Sequence, residues 1–214
     1  YIAAHANEIW VPSQMTQTAV RRRFGLESRR VPYCYDSSRF RARDTARDDP
    51  PTLLTVSRLQ RYKNQAATVL AAARLGQGVQ VRLIGRGPER DSLQRLAESH
   101  GVRCRIDSQA DDHAVSDAYL RARVAVCPSR FEGFGLTPIE AVASGTPTVA
   151  SDIPPHQEFV GSAARLFPLD DIDALTEAVG AALNDPPPDS GLMRQLTIPV
   201  AAERFLGFLR PLLG

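Results

Sequence analysis

The chain has 214 residues, 43% of them hydrophobic, and a formal net charge of +2 at pH 7, enough apolar material for one large domain or two small ones. Basic and acidic residues nearly cancel, which excludes a general electrostatic drive onto nucleic acid, and no apolar run approaches the roughly 20 residues of a membrane span, nor does a signal-peptide pattern open the chain. Cys34, Cys104 and Cys127 lack C-x-x-C spacing, which favours buried free thiols in a reducing compartment over disulfides or metal ligation, with the cytoplasm as the default.

In chain order, the sequence starts at Tyr1 rather than Met, inside a segment with the texture of folded structure, and is expected to be a piece of something longer. The run "EIWVPS" reads as a short strand closed by Pro12, with Ser13 as N-cap of a helix to about Phe24. Arg21, Arg22 and Arg23 suit the last turn of that helix, where cations meet the negative end of the dipole, with a membrane or anion contact as the alternative. Residues 1–31 are expected to be the remnant of a preceding domain. Residues 32–51, with "YDSSRF", a charged "RARDTARDD" and Pro50-Pro51, lose periodicity and read as a linker.

From Thr52 short apolar runs alternate with helical patterns. Strands are expected at 52–56, 79–84, 102–106, 124–128, 146–150 and 164–167, and helices near 64–75, 89–100, 112–121, 136–144 and 171–184. That alternation specifies an α/β fold, a Rossmann-like parallel sheet with helices on both faces, over residues 52–190. Ligands of such folds sit at the carboxyl ends of the strands. After "NDPPPDSG", residues 191–214 are expected to form an amphipathic helix interrupted at Pro211, with Phe205, Phe208, Leu209 and Leu212 at three- and four-residue spacings. Packing against another domain is its expected use, and a membrane-surface helix is the alternative.

Three stretches carry chemistry. Arg58 and Lys63 follow the first of these strands, and Lys63 is the one lysine among 26 basic residues. Solvated loop charges are one reading; at the carboxyl end of a strand, a guanidinium and an ammonium also make a clamp for a diphosphate. In "LIGRGPE", Gly85 and Gly87 give a tight turn whose backbone can approach a ligand, but a lone G-x-G lacks the third glycine of a dinucleotide site. In "PSRFEGFGLTPIEAVASGTP" a glycine-bearing loop runs into a helix, a ready anion site. Glu132 and Glu140 there stand in E-x7-E spacing, and Glu140 falls in an apolar helix where an unpaired carboxylate is costly unless hydroxyl donors meet it. Asp171-Ile172-Asp173, the one D-x-D, reads as a helix N-cap rather than a metal site, and the histidines and serines show no zinc or nucleophile-elbow spacing.

Together these motifs resemble the donor-binding half of a GT-B glycosyltransferase of the large retaining family 4 group, from about Trp10 to about Ala182. The likeness rests on "IWVPS", "VPYCYDSSRF", "VSRLQRYKN", "LIGRGPE", the E-x7-E segment and "GTPTVASDIPPHQE". It implies that the intact protein moves a hexose from a GDP- or UDP-linked donor to a glycan or lipid-linked acceptor with retained configuration. It further implies that Arg58 and Lys63 hold the donor diphosphate and stabilise the leaving group, and that Glu140 accepts from ribose hydroxyls. Glu132 and the backbone of Gly133, Phe134, Gly135, Leu136 and Thr137 would grip the sugar and distal phosphate, Gly85 would lie at the ligand, and Ile106 near the base. No metal cofactor is expected, since cations and a helix terminus stabilise the phosphates.

The sequence departs from the family where Cys34-Tyr35 replaces the usual N-G before Asp36, where Ser108 takes the place of a base-loop glycine, and in "IPPHQE". The last variant is similar to mannosyltransferase-type members and points toward a guanine-linked donor. The acceptor domain is nearly all missing from this chain, so alone it is expected to bind donor without transferring sugar. A missing domain or partner subunit would complete it, at the cytoplasmic face of a membrane or free in the cytoplasm. A non-catalytic nucleotide-sugar module is the alternative from another class, and an NAD-dependent oxidoreductase a third.

Overall fold

The alternation that starts at Thr52 builds a six-stranded, all-parallel sheet in a computed structural model that describes residues 8–213 and the side chains of 8–210. Residues 1–7 of the expected remnant and the side chain of Leu212 lie outside that description. The strands are β3 (Thr52–Val56), β4 (Gln80–Ile84), β5 (Cys104–Asp107), β6 (Val124–Cys127), β7 (Thr148–Ser151) and β8 (Arg165–Phe167), in the order β5-β4-β3-β6-β7-β8. Leu53 pairs with Val81 on one side and Val124 on the other. The chain therefore runs outward from β3 to β5, returns to β6 beside β3, and runs outward the other way. That reversal opens a crevice at the carboxyl ends of β3 and β6, the switch point where such sheets bind ligands.

The near-continuous apolar runs of β3, β6 and β7 follow from burial on both faces. One face packs against α2 (Gln65–Leu75), α3 (Arg90–Ser99) and α7 (Ile172–Ala182) through residues such as Leu53, Val69, Leu93 and Leu175. The other packs Leu54 and Ala125 against α4 (Asp112–Arg121), α5 (Leu136–Ala143) and the α6 helix (Pro154–Val160), through Tyr119, Ile139 and Val160. Asp171 caps α7 by accepting from the Ala174 N–H at 2.9 Å, and Asp173 pairs with Arg74, so both carboxylates of the D-x-D are spent structurally.

Ahead of the sheet, β1 (Trp10–Val11) and β2 (Arg29–Arg30) form a separate two-stranded parallel ribbon around α1 (Gln14–Phe24). Ser13 and Thr16 form a reciprocal capping box at the start of α1. Residues 32–51, read as a linker, are irregular but pressed onto the domain. Tyr35 and Phe40 are buried, Tyr35 bridges to Thr197, and the Arg47 guanidinium donates to the carbonyls of Ala122 at 2.7 Å and Gly145 at 2.8 Å. It thus satisfies carbonyls left open at the ends of α4 and α5.

The last helix, α8 (Ile198–Leu213), crosses back onto the ribbon: Phe205 meets Trp10 edge-on with ring centroids 4.9 Å apart, and the Arg29 guanidinium lies 4.9 Å from the Phe208 ring centre. The expected interruption at Pro211 does not occur, because α8 runs through Leu213. A proline in the final turn forfeits one hydrogen bond where almost no helix remains to be disrupted. The sequence reading also missed α6. Pro154-Pro155 opens this helix, and proline at the first helical position gives up only an N–H that has no partner there anyway.

Candidate functional site

Two loops meet at the switch point. The first follows β3 and carries Arg58, then a 3-10 turn (Arg61–Lys63) that ends on Asn64 with φ of 56°. Asparagine tolerates that left-handed conformation, which turns the chain directly into α2 and leaves Lys63 facing the crevice. Buried Gln65 fixes the loop from below, its amide donating to the Arg58 carbonyl at 2.7 Å and the Ser57 hydroxyl at 2.7 Å. On the other side, Gly85 and Gly87 let the turn after β4 lie against this loop: a Cβ at Gly85 would sit 1.9 Å from the Ser57 carbonyl oxygen, and one at Gly87 2.1 Å from that of Leu59. Gly85 therefore supports the Arg58 loop through backbone contact.

The second loop follows β6 and carries Glu132 and Gly133 into α5. Gly135 stands at φ of 91° as the N-cap, and a side chain there would meet His156, whose Cδ2 lies 3.1 Å from the Cβ position. The loops are joined by backbone, the Arg130 N–H donating to the Tyr62 carbonyl at 2.8 Å, and by charge, Lys63 Nζ lying 2.5 Å from Glu132 Oε1 with both side chains nearly buried. The structure thus brings together Arg58, Lys63, Glu132 and the Gly133–Thr137 backbone, with the N-terminus of α5 directed toward them.

Glu140 sits one helical turn further along α5 from Thr137. Its carboxyl is pushed up to about 7, chiefly by burial, and the Tyr119 hydroxyl beside it opposes the rise. Tyr119 is itself pushed well up by burial and by Glu140, and its hydroxyl also reaches the Thr137 carbonyl at 3.3 Å. A carboxylate kept here against its desolvation cost is suited to hydroxyl donors that arrive with a ligand. Cys127 lies behind the same loops; burial pushes its thiol up to about 12, so it packs as an apolar group and is no nucleophile. Ile106, on β5 opposite Leu83, turns its side chain to the core and leaves only backbone at the strand end.

Four residues near the site escaped the sequence reading. Tyr62 accepts a 2.5 Å hydrogen bond from Arg58. His156 is buried and neutral, burial holding its pKa down; its Nδ1 lies 2.8 Å from the Ser151 carbonyl and must carry the proton, since a carbonyl only accepts, and Nε2 then has no partner. Ser13 donates to the Gly133 carbonyl at 2.7 Å, and Gln65 braces Arg58. Among these the sequence signalled only the capping role of Ser13. An apolar cavity of about 590 Å³ between β1, the segment that follows β2 and α8 shares only Leu136 with the loop and none of its charged residues.

Residues 36–196 match the family model of glycosyl transferases group 1. The chain is 31% identical over 186 residues to glycogen synthase of Mycobacterium tuberculosis, covering 84% of this chain and 42% of that protein. It is 34% identical over 142 residues to phosphatidyl-myo-inositol mannosyltransferase of Mycolicibacterium smegmatis, covering 63% of this chain and 36% of that protein. It is also 34% identical over 103 residues to the lipopolysaccharide core biosynthesis mannosyltransferase LpsB of Rhizobium meliloti, covering 46% and 29% respectively. Sucrose-phosphate synthase from Thermosynechococcus elongatus superposes with a TM-score of 0.86 at 26% identity, over 99% of this chain and 60% of that one. Anabaena HepE, solved with UDP and glucose, shares the fold at a TM-score of 0.84 and 18% identity, over 97% and 64% of the two chains. The chain therefore spans less than half the length of these curated relatives. With the family model covering most of its length and a six-stranded parallel domain of the GT-B kind around the paired loops, this chain belongs to the group 1 glycosyltransferases.

Proposed function

We propose that this chain is the donor-binding part of a retaining glycosyltransferase that takes a nucleoside-diphosphate hexose without a metal ion. The observation that carries the reading is the convergence of Arg58, Lys63, Glu132 and the N-terminus of α5 on one crevice at the sheet's switch point. In this reading Arg58 and Lys63 neutralise charge that grows on the departing diphosphate, so they act most strongly in the transition state. Lys63 exchanges part of its contact with Glu132 for a phosphate oxygen. Glu132 and the loop backbone then orient the hexose, while Glu140 accepts from the ribose hydroxyls.

Mannosyltransferases among the relatives support a mannosyl donor and a glycan or lipid-linked acceptor, reached at the cytoplasmic face of a membrane.

The test is calorimetric titration with UDP, GDP, ADP and NAD, with and without a chelator. One nucleoside diphosphate is expected to bind, unaffected by chelation, and Lys63→Ala is expected to weaken it about 10- to 100-fold, the loss of one charge-assisted contact. Preference for NAD, a metal requirement or indifference to Lys63→Ala would each overturn the assignment.

A further inference from the structure

We propose that Tyr62 is a third ligand of the diphosphate clamp, its phenolic O–H donating to a phosphate oxygen held between Arg58 and Lys63; this rests on the donor-site reading above. A phenol has one proton to give and lone pairs to receive. Arg58 Nη2 already donates into the oxygen at 2.5 Å, while the O–H has no acceptor among the described residues. A cation bonded to that oxygen polarises the hydroxyl and strengthens it as a donor. The chemistry it lacks is a strong acceptor, and ionised phosphate oxygens are acceptors only.

The side chain is fixed where such an acceptor would arrive. Its ring centre lies 6.0 Å from the Arg58 guanidinium carbon and 5.4 Å from Lys63 Nζ, within cation–π range of both. Its carbonyl receives the Arg130 N–H at 2.8 Å, which ties residue 62 to the loop that carries Glu132. A surface tyrosine with no role would be free to turn into solvent; this one is half-buried and held by backbone, hydrogen bond and two cations. Aromatic residue, guanidinium and ammonium thus line one side of the crevice and offer donors in three directions.

The decisive variant is Tyr62→Phe, which keeps the ring and both cation contacts and deletes only the O–H. Titration with UDP and GDP should show the nucleoside diphosphate that the unmodified chain binds held about tenfold more weakly, with an unchanged melting temperature. The same substitution made in Arg58→Ala should still weaken binding, because a hydroxyl that touches phosphate does not act through Arg58. Affinity unchanged in Tyr62→Phe but reduced in Lys63→Ala would overturn the role of Tyr62 and leave the donor site standing. A loss that disappears in the Arg58→Ala background would overturn direct contact. Failure of the unmodified chain to bind UDP or GDP would overturn the donor-site reading and this inference with it.

Discussion

Glu140 is a single residue whose surroundings cost the fold stability as the pH rises. In the unfolded chain its carboxyl titrates near 4.5, and in the folded protein near 7, chiefly because it is buried. The folded state therefore binds the proton more tightly. The group's stabilising effect is full below pH 4.5 and is lost as pH rises to about 7, a difference of up to about 3 kcal/mol for a shift of that size. Glu140→Gln should consequently be more stable than the parent at pH 8 and equal to it at pH 4, measured by urea midpoints at each pH. The variant should also lose the steepening of nucleotide affinity as pH rises through 7, because only the ionised carboxylate is a full acceptor for ribose hydroxyls. Equal stability differences at both pH values would show that the residue is not buried as a carboxylic acid.

At the scale of elements, the turn after β4 acts as a backing plate for the loop after β3. Gly85→Ala would place a methyl carbon 1.9 Å from the Ser57 carbonyl oxygen, a backbone atom that cannot swing aside. The expected cost is about 2–3 kcal/mol of stability together with weakened nucleoside-diphosphate binding, as the Arg58 loop is pushed off its seat. Gly78→Ala, where nothing lies within 4 Å, is the control and should leave both unchanged in denaturation and titration.

Apart from α6, the strands and helices from β3 to α7 were legible in the sequence to within two residues, because strands buried on both faces are apolar throughout and alternate with helical patterns. Arg58, Lys63 and Glu132 stood out as candidates because they follow the carboxyl ends of β3 and β6, and Glu140 because a carboxylate is unusual in the apolar helix α5. The rest was not legible for nonlocal reasons. Ser13 and Gly133 are 120 residues apart, His156 meets the Gly135 position from a different helix, and the hydrogen bond from Arg58 to Tyr62 follows no spacing rule that the sequence displays. The expected break at Pro211 also misled, since that proline lies at the end of α8.

At the scale of the whole molecule, α8 closes the fold by returning to the ribbon near its start. Trp10 is the fastener, with Phe205 and Phe208 on its ring at 4.9 and 6.4 Å. Aromatic pairs of this kind add about 0.5–1.5 kcal/mol each beyond the area they bury. Trp10→Ala should therefore release α8 locally, with its amide exchange faster by about 10- to 100-fold and the amides of β3 and β6 unchanged. Loss of protection throughout the sheet would mean instead that ribbon and sheet unfold as one unit.

The capping box of α1 has a mechanical consequence. The Ser13 hydroxyl that begins the helix also grips the Gly133 carbonyl at 2.7 Å, and the adjacent Gln14 N–H and Arg30 guanidinium both hold Glu158, at 2.9 and 2.8 Å. Force applied to α1 is thus delivered to Gly133, the neighbour of Glu132, and to α6, which carries His156 beneath Gly135. A displacement of α1 would therefore strain the loop that carries Glu132 and the start of α6 together, although α1 itself supplies none of the charged groups there.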